Sequence, residues 1–444
     1  MTTASPAARR PTRRLVIVVR ADPVICGHSG EARNLAEAAL DRGFDEVRIV
    51  TWPLDVLERS GLPLKPLDRV LPYRDGVVVE RPAPVGDYKV PDGRWLAGLT
   101  GRLVELFTDG VPTVAMSLYL SPHAVAVADA ARIARSSGLP VDLVTVAEAV
   151  GSDVTNVVRA AVAQDRFGAA AHVLTAYLEH DVVLAVSQYT LDLVVQEAGA
   201  VDARHGTTYA TRLAERLQVS YPAVDVRPYL HLEPARTAEV LASRGLERDG
   251  YVLFLSRLMP AKGVDDLIEA FGRSRASTEV GLVIAGTGPQ AGLYRELAGR
   301  SPVASRIRFL DDVDDEEKRH LMAACAAFAL PTKPLPEFVE TFGIALTEVM
   351  LSGGGPVITT TTGGVGEAVG DHALVVPVED PDALAAAIDH AVLGLSEAAR
   401  AELLTDARAY AERFDRAPVL DAILRQVDAV AAHRAAVRAG ELVG

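Results

Sequence analysis

The chain reads as an α/β protein in two halves, each built on a parallel sheet. Three observations predict this. Short β-branched runs alternate with Ala- and Leu-rich stretches from end to end, the pattern of successive βαβ units. The alternation halts over residues 225–250, where Pro228 and Pro234 fall, and restarts with a fresh strand at Tyr251. A length of 444 residues, 49% of them apolar, is enough for a core in each of two or three domains.

In the first half, residues 15–19 form an unbroken apolar run that fits a strand buried on both faces. A loop over 21–30 and a helix over 31–42, with Leu35, Ala38 and Ala39 on one side, complete the first unit. Further strands are expected at 47–51, 111–116, 142–146 and 182–186. Residues 54–94 carry several prolines and no sustained helical period, with a small strand at 77–80. Connections this long in a compact domain are commonly functional. The helix that follows sets Trp95, Leu99, Leu103 and Leu106 on one stripe. Its opposite face lacks the basic cluster of a membrane-surface helix, so the stripe is expected to face the core. In the second half, strands are expected at 251–256, 280–285, 307–310, 327–330, 357–359 and 374–376. The tail over 397–440 is helical in pattern, with a break near Pro418. The division expected is a disordered tail over 1–14, one domain over 15–225, a second over 226–400, and closing helices over 401–444.

Charge and cysteine content narrow the function. Forty-five basic residues stand against 59 acidic ones, a net charge of −14. An excess of anions disfavours a nucleic-acid groove or an anionic membrane surface as the general partner. Two cysteines, Cys26 and Cys325, cannot build a disulfide framework or a four-cysteine zinc site, so a reducing, cytoplasmic setting is expected. No run approaches the roughly 20 apolar residues of a membrane span. The run at 15–19 stops at Arg20, too short for a signal segment. Five lysines (Lys65, Lys89, Lys262, Lys318, Lys333) accompany 40 arginines. A lysine at a chemically sensible position therefore carries more weight than usual.

Four features of the second half carry chemistry. Ser256-Arg257-Leu258-Met259-Pro260-Ala261-Lys262-Gly263 follows a strand directly and leads into a helix near Val264. Two cations beside a strand-to-helix turn, where backbone N–H groups also point outward, suit a diphosphate, although a surface turn alone also accounts for them. Ile284-Ala285-Gly286-Thr287-Gly288-Pro289 again ends a strand, where glycines admit a ligand or simply make the turn. Glu340-Thr341-Phe342-Gly343-Ile344-Ala345-Leu346-Thr347-Glu348 places one carboxylate in a loop before a helix and another within that helix, able to address different parts of one long ligand. A glutamate beside a helix start is also an ordinary dipole-stabilising choice. Ser352-Gly353-Gly354-Gly355-Pro356 and Thr360-Thr361-Thr362-Gly363-Gly364-Val365-Gly366-Glu367 flank one strand with more glycines than turns require.

In this order and spacing the four features resemble the retaining glycosyltransferases of glycosyltransferase family 4, most specifically from about Tyr251 to Pro381. Cys26-Gly27-His28-Ser29-Gly30 occupies the place of that family's glycine-rich first loop. Glu148-Ala149-Val150-Gly151-Ser152-Asp153 is similar to its turn after a mid-domain strand, and Ser187-Gln188-Tyr189-Thr190 to a later strand end. The run from Gly76 to Lys89 loosely resembles the sucrose-phosphate-synthase-like subgroup. The resemblance implies the GT-B fold, two Rossmann-like domains with parallel sheets facing a central cleft, the closing helices bracing the first. It implies transfer of a sugar from a nucleoside-diphosphate sugar to a small-molecule hydroxyl or thiol with retention of configuration. Arg257, Lys262 and Glu340 would be catalytic. Gly27, Gly30, Gly286, Gly288, Thr341, Phe342, Gly343, Ile344 and Glu348 would hold the donor, with Glu348 on the ribose diol. His28, His123, Glu148 and Asp153 would lie on the acceptor side.

No metal and no resident cofactor are expected. Asp312-Val313-Asp314 matches a D-x-D metal motif, but it precedes the helical stretch 316–325, which Asp314 and Asp315 are expected to cap. The sequence departs from the family where many members carry a histidine at the place of Glu148, and where the usual Gly-Gly of the first loop is split by His28 and Ser29. An epimerase or hydrolase on the same fold, or a non-catalytic nucleotide-sugar-binding protein, are the alternatives. The Ala- and Arg-rich, Lys-poor composition suggests an actinobacterial genome and, with the atypical first loop, a specialised-metabolite or small-thiol pathway such as thiosugar antibiotic assembly, with inositol phosphate or a sugar phosphate as the alternative acceptor. No stable membrane association and no nucleic-acid partner are expected.

Overall fold

The computed structural model describes residues 13–86, 91–336 and 338–440. Most of the tail expected to be disordered, residues 1–12, lies outside them, as does Lys89. Two parallel sheets organise the chain. The first contains β1 (Arg14–Val18), β2 (Glu46–Val50), β3 (Val77–Glu80), β4 (Thr113–Leu118), β5 (Leu143–Ala149), β6 (Val182–Ala185) and β7 (Leu217–Val219), in spatial order β3-β2-β1-β4-β5-β6-β7. The second contains β8 (Tyr251–Leu255), β9 (Gly281–Ala285), β10 (Ile307–Leu310), β11 (Ala327–Leu330), β12 (Val357–Thr359) and β13 (Leu374–Val375), in order β10-β9-β8-β11-β12-β13. The two sheets thus repeat one topology. In each, the order reverses between the first strand and the fourth: β1 beside β4, β8 beside β11. Connections leave in opposite directions there, which opens a crevice at the carboxyl ends of the strands.

Burial explains the unbroken apolar runs. β1, β4 and β5 are buried along their whole length because helices cover both faces. One face packs under the helix Gly27–Leu40 with Leu15, Ile17, Met116 and Val146, the other under helices carrying Leu99, Leu103, Leu106 and Ala130. The Trp95 stripe therefore faces the core. The second sheet has a single cluster around Leu253, Phe254, Ile284 and Phe328.

Several boundaries differ from the sequence reading. The first helix begins at Gly27, four residues earlier than expected, so His28, Ser29 and Gly30 form its first turn rather than a loop. Glycine and serine have weak helix propensity, which hides a helix start fixed by packing. Residues 54–59 form a short helix within the segment read as irregular. β5 continues to Ala149, so Glu148 sits inside the strand and not in the turn. The helix Glu397–Ala411 packs on the second domain, burying Ala407 and Ala411 in its core. The crossing back falls at Asp415, later than residue 401. There Val224 exchanges backbone hydrogen bonds with the returning chain: its N–H donates to Phe414 at 2.9 Å and its carbonyl accepts from Arg416 N–H at 2.8 Å. Beyond it, the helix Arg416–Ala439 lays Leu420, Ile423 and Val427 on the first domain. Pro418 lies in that helix's first turn, where its missing N–H costs nothing.

Candidate active site

The crevice of the second sheet collects the cations found in the sequence. Arg257 follows β8, and Lys262 closes the short turn Pro260–Lys262. Gly263 then adopts φ +68°, and any β-carbon there would fall on the carbonyl oxygen of Pro331 in the loop after β11. Only glycine lets these two loops touch. Lys333 locks the contact: its N–H donates to Ala261 at 2.9 Å and its ammonium pairs with Asp265 at 2.8 Å and Asp266 at 2.9 Å. Lys262, 6% exposed, extends from this braced turn and donates to Glu340. Phe338 faces both cations, 6.0 Å from the Arg257 guanidinium carbon and 5.2 Å from the Lys262 nitrogen. Arg257 itself has no carboxylate partner among the described residues.

Glu340 is held from behind by the loop after β12. Gly364 N–H donates to its carbonyl at 3.0 Å, and Gly363 and Gly364 lie too close to the carbonyls of Glu340 and Thr341 for side chains. Three residues on, Gly343 precedes the helix Ile344–Ser352, whose start has no side-chain cap and no acidic residue in its first turn. Its initial N–H groups thus carry an uncompensated positive end beside Glu340. Glu348 lies further along the same helix. Its Oε1 accepts from Tyr229 Oη and from Lys318 Nζ, both at 2.6 Å. Burial favours the neutral amine of Lys318, yet Glu348, Tyr229 and Asp315 outweigh it and raise its pKa, so the ammonium persists.

Some predicted residues have other duties. Gly286 and Gly288 press against the backbone of Ser256 and Leu258, so their smallness serves the Arg257 loop. Gly354 and Gly355 pack on the carbonyls of Met322 and Ala326 and carry no site. Asp314 caps the helix Asp315–Ala323 through the N–H groups of Glu316 and Glu317, whereas Asp315 pairs at 2.5 Å with Lys65 of the first domain and is not a cap. Asp153 is fully buried, its oxygens taken by the N–H groups of Leu120, Val150 and Val154, which removes it from the acceptor side. Among the described residues no three His, Cys, Asp or Glu side chains are grouped to hold a metal ion.

The first sheet presents its own crevice opposite. His28 follows β1, and Tyr119 and His123 follow β4. Trp95, Trp52, His123, Tyr119 and His28 run as a row of rings with successive centroids 5.1, 4.5, 5.4 and 6.2 Å apart. His123 is 1% exposed and both ring nitrogens lack a partner, so it is buried within the row rather than facing the crevice. Burial holds it neutral, its pKa well below the ordinary value, with Arg20 adding to the effect. Burial, Arg20 and Arg257 likewise push His28 down to about 4. Glu148, 1% exposed on the face covered by the first helix, has an unpartnered Oε2, and burial with Glu31 and Asp153 nearby raises its pKa well above the carboxylate range.

Contacts between the domains close the space around these groups. Gly27 has Ile344 against it, a β-carbon there standing 3.2 Å from the isoleucine Cδ1, and Gly151 abuts Thr341. Glu367 accepts from Gln188 N–H at 2.7 Å and Tyr189 N–H at 3.0 Å at the start of the helix Gln188–His205. Sequence reasoning missed Tyr229, Lys318, Lys333 and Phe338. Lysine scarcity was the available signal, since Lys65, Lys262, Lys318 and Lys333 all gather here.

Two facing domains of one topology, with carboxylates and cations at the crevice of the second, define the GT-B class. Residues 239–409 match the family model described as glycosyl transferases group 1. The chain is 31% identical over 163 residues to the O-antigen chain mannosyltransferase B of Escherichia coli, covering 36% of this chain and 41% of that protein. It is 31% identical over 235 residues to the D-inositol 3-phosphate glycosyltransferase of Salinispora tropica, covering 49% and 47%. The chain thus spans about half the length, or less, of these curated relatives. Among solved structures, Anabaena HepE in complex with UDP and glucose superposes with a TM-score of 0.68 at 20% identity, over 94% of this chain and 100% of that one. Sucrose-phosphate synthase of Thermosynechococcus elongatus does so with a TM-score of 0.65 at 18% identity, over 94% and 99%.

Proposed function

We propose that this chain is a retaining, metal-independent glycosyltransferase that moves a sugar from a nucleoside-diphosphate sugar to a small-molecule hydroxyl or thiol. The observation that carries this reading is the convergence of Arg257, Lys262 and Glu340 at the crevice of the second sheet, beside an uncapped helix start. Cleaving a sugar–phosphate bond develops negative charge on the departing diphosphate, so fixed positive charge matters more than a strong base. Arg257 and Lys262 supply it. Lys262 turns from Glu340 to the phosphate when donor enters, freeing Glu340 for the sugar hydroxyls, while the N–H groups at the helix start add to the grip. Glu348 takes the ribose diol through its Oε2, since Oε1 is occupied. The acceptor enters from the first domain, attacks on the face the phosphate leaves, and passes its proton to that phosphate. The named relatives transfer mannose or act on inositol phosphate, and HepE binds UDP and glucose, which supports a nucleotide-sugar donor. A place in actinobacterial specialised metabolism, such as thiosugar assembly, belongs to this proposal through composition alone.

The test is a thermal-shift screen of nucleoside diphosphates and their sugars, followed by turnover with the best donor in EDTA. Binding raises stability with the logarithm of ligand concentration over affinity. Glycoside should form without added metal, and Arg257→Ala and Lys262→Ala should each cost about 3–4 kcal/mol of transition-state stabilisation. Wild-type turnover in both variants, or donor consumption with no glycoside across an acceptor panel, would overturn it.

A further inference from the structure

The first sheet carries a guanidinium that the proposed reaction leaves unassigned. Arg20 lies two residues beyond the end of β1, at the crevice between β1 and β4, and both it and Arg257 are near enough to His28 to act on its charge. Arg20 is half-buried, and although its carbonyl accepts from the Cys26 thiol, its guanidinium makes no ion pair and no hydrogen bond among the described residues. Its neighbours are otherwise engaged. Asp22 accepts from Arg33 at 2.8 Å and from Tyr73 at 3.0 Å, and Arg81 donates to the Trp52 carbonyl at 2.7 Å. The Arg20 guanidinium lies 5.1 Å from the ring centroid of Tyr119, which is in turn edge-on to His28 and His123. A half-buried cation without a counter-charge is costly, and a fork of N–H donors matches a planar or tetrahedral oxyanion.

Resting on the reading above, we propose that Arg20, seated on Tyr119 beside His28, binds an oxyanion carried by the acceptor, so that the acceptor is an anionic small molecule. The donor diphosphate has its own cations on the opposite wall, Arg257 and Lys262. His28, held neutral, offers a hydrogen bond to the acceptor without competing for the anion. His123, itself packed on Trp52, lies edge-on to Tyr119 and supports the ring on which the guanidinium sits. The oxyanion is a phosphate ester or a carboxylate, and one ring system can present either.

The experiment uses the full chain, alone and saturated with the nucleoside diphosphate that stabilises it most, titrated with glucose 6-phosphate, glucuronate and glucose. Thermal shift and calorimetry are read for wild type, Arg20→Met and Arg20→Lys. One or both anions should stabilise wild type while glucose does not, and their comparison identifies the oxyanion. In Arg20→Met the anion should bind about tenfold weaker or worse, with partial recovery in Arg20→Lys. The nucleotide shift should be unchanged in every variant, which also reports that each folds. Equal stabilisation by glucose, no response to either anion, undiminished anion binding in Arg20→Met, or loss of nucleotide binding in that variant would overturn the assignment. Absence of any nucleotide shift in wild type would instead strike the donor reading, and the titration of the chain alone would still decide the role of Arg20.

Discussion

At the level of single residues, the informative contrast lies between charges that find partners and charges that do not. Glu348 is pinned through one oxygen by Tyr229 and Lys318, which presents the other in a fixed direction. Lys318→Met and Tyr229→Phe are therefore expected to weaken nucleotide binding about tenfold or more, the worth of one hydrogen bond to a charged group, with a much smaller effect on turnover at saturation. Calorimetry with the preferred nucleotide checks this; an unchanged Kd would show that Glu348 does not touch the ribose. Buried Glu31 illustrates the opposite case. Burial pushes its carboxyl up to about 7, partly relieved by the Ala223 N–H. Because the folded chain holds that proton more tightly than the unfolded one, this site favours folding fully below about pH 4.5, and the benefit fades as pH rises through 7. Neutral His28 and His180, both lowered to about 4 chiefly by burial, act in the other sense: their contribution is present above pH 6.5 and is lost as pH falls through 4. The melting temperature of Glu31→Gln relative to wild type should accordingly rise between pH 5 and pH 8. A pH-independent difference would mean that Glu31 ionises normally.

Among elements, the turns at the two crevices hold most of the functional geometry. The loop after β8 and the loop after β11 meet at Gly263, where both the left-handed backbone and the Pro331 carbonyl exclude a side chain. Gly263→Ala should cost about 1–3 kcal/mol of stability, the usual range for a residue forced into a strained backbone region, and should lower kcat by displacing Lys262. Urea unfolding and steady-state kinetics test the two effects separately; full stability in the variant would mean the loops can part without loss. Strands were legible in the sequence because β1, β4, β5 and β8 are buried on both faces and read as continuous apolar runs. The start of the first helix was not, since Gly27, His28 and Ser29 are poor helix formers held helical by the packing of Ala32, Leu35 and Ala36 below them. The triple glycine after Ser352 misled for a related reason: glycines that admit a ligand and glycines that admit a neighbouring carbonyl look alike in one dimension.

For the molecule as a whole, the domains meet through close contacts of Gly27 with Ile344 and Gly151 with Thr341, a cluster of Tyr221, Phe342 and Phe414, a few polar contacts and a crossing helix. Glu367 caps the helix Gln188–His205 across the interface, and Lys65 pairs with Asp315. Both contacts run between the two domains. A cleft joined by two chain crossings at Val224 and Asp415 is built to hinge, because those crossings are adjacent and hydrogen-bonded to one another. The double variant Glu367→Ala and Lys65→Ala should show a larger radius of gyration by small-angle scattering than wild type, and nucleotide sugar should narrow the gap. Identical profiles would place the closure energy elsewhere, in the Tyr221, Phe342 and Phe414 cluster.

Amino-acid order alone determined the α/β class and the restart at Tyr251, and it singled out Arg257, Lys262, Glu340 and Glu348, because periodicity and motif spacing are local properties of the chain. Only tertiary structure decided which of them meet. Lys262 and Glu340 are 78 positions apart and Tyr229 and Glu348 are 119 apart, and nothing local specifies that such groups touch. The same holds for Arg20: its charge is visible in the sequence, but its lack of a partner depends on where every neighbouring carboxylate has been placed by folding.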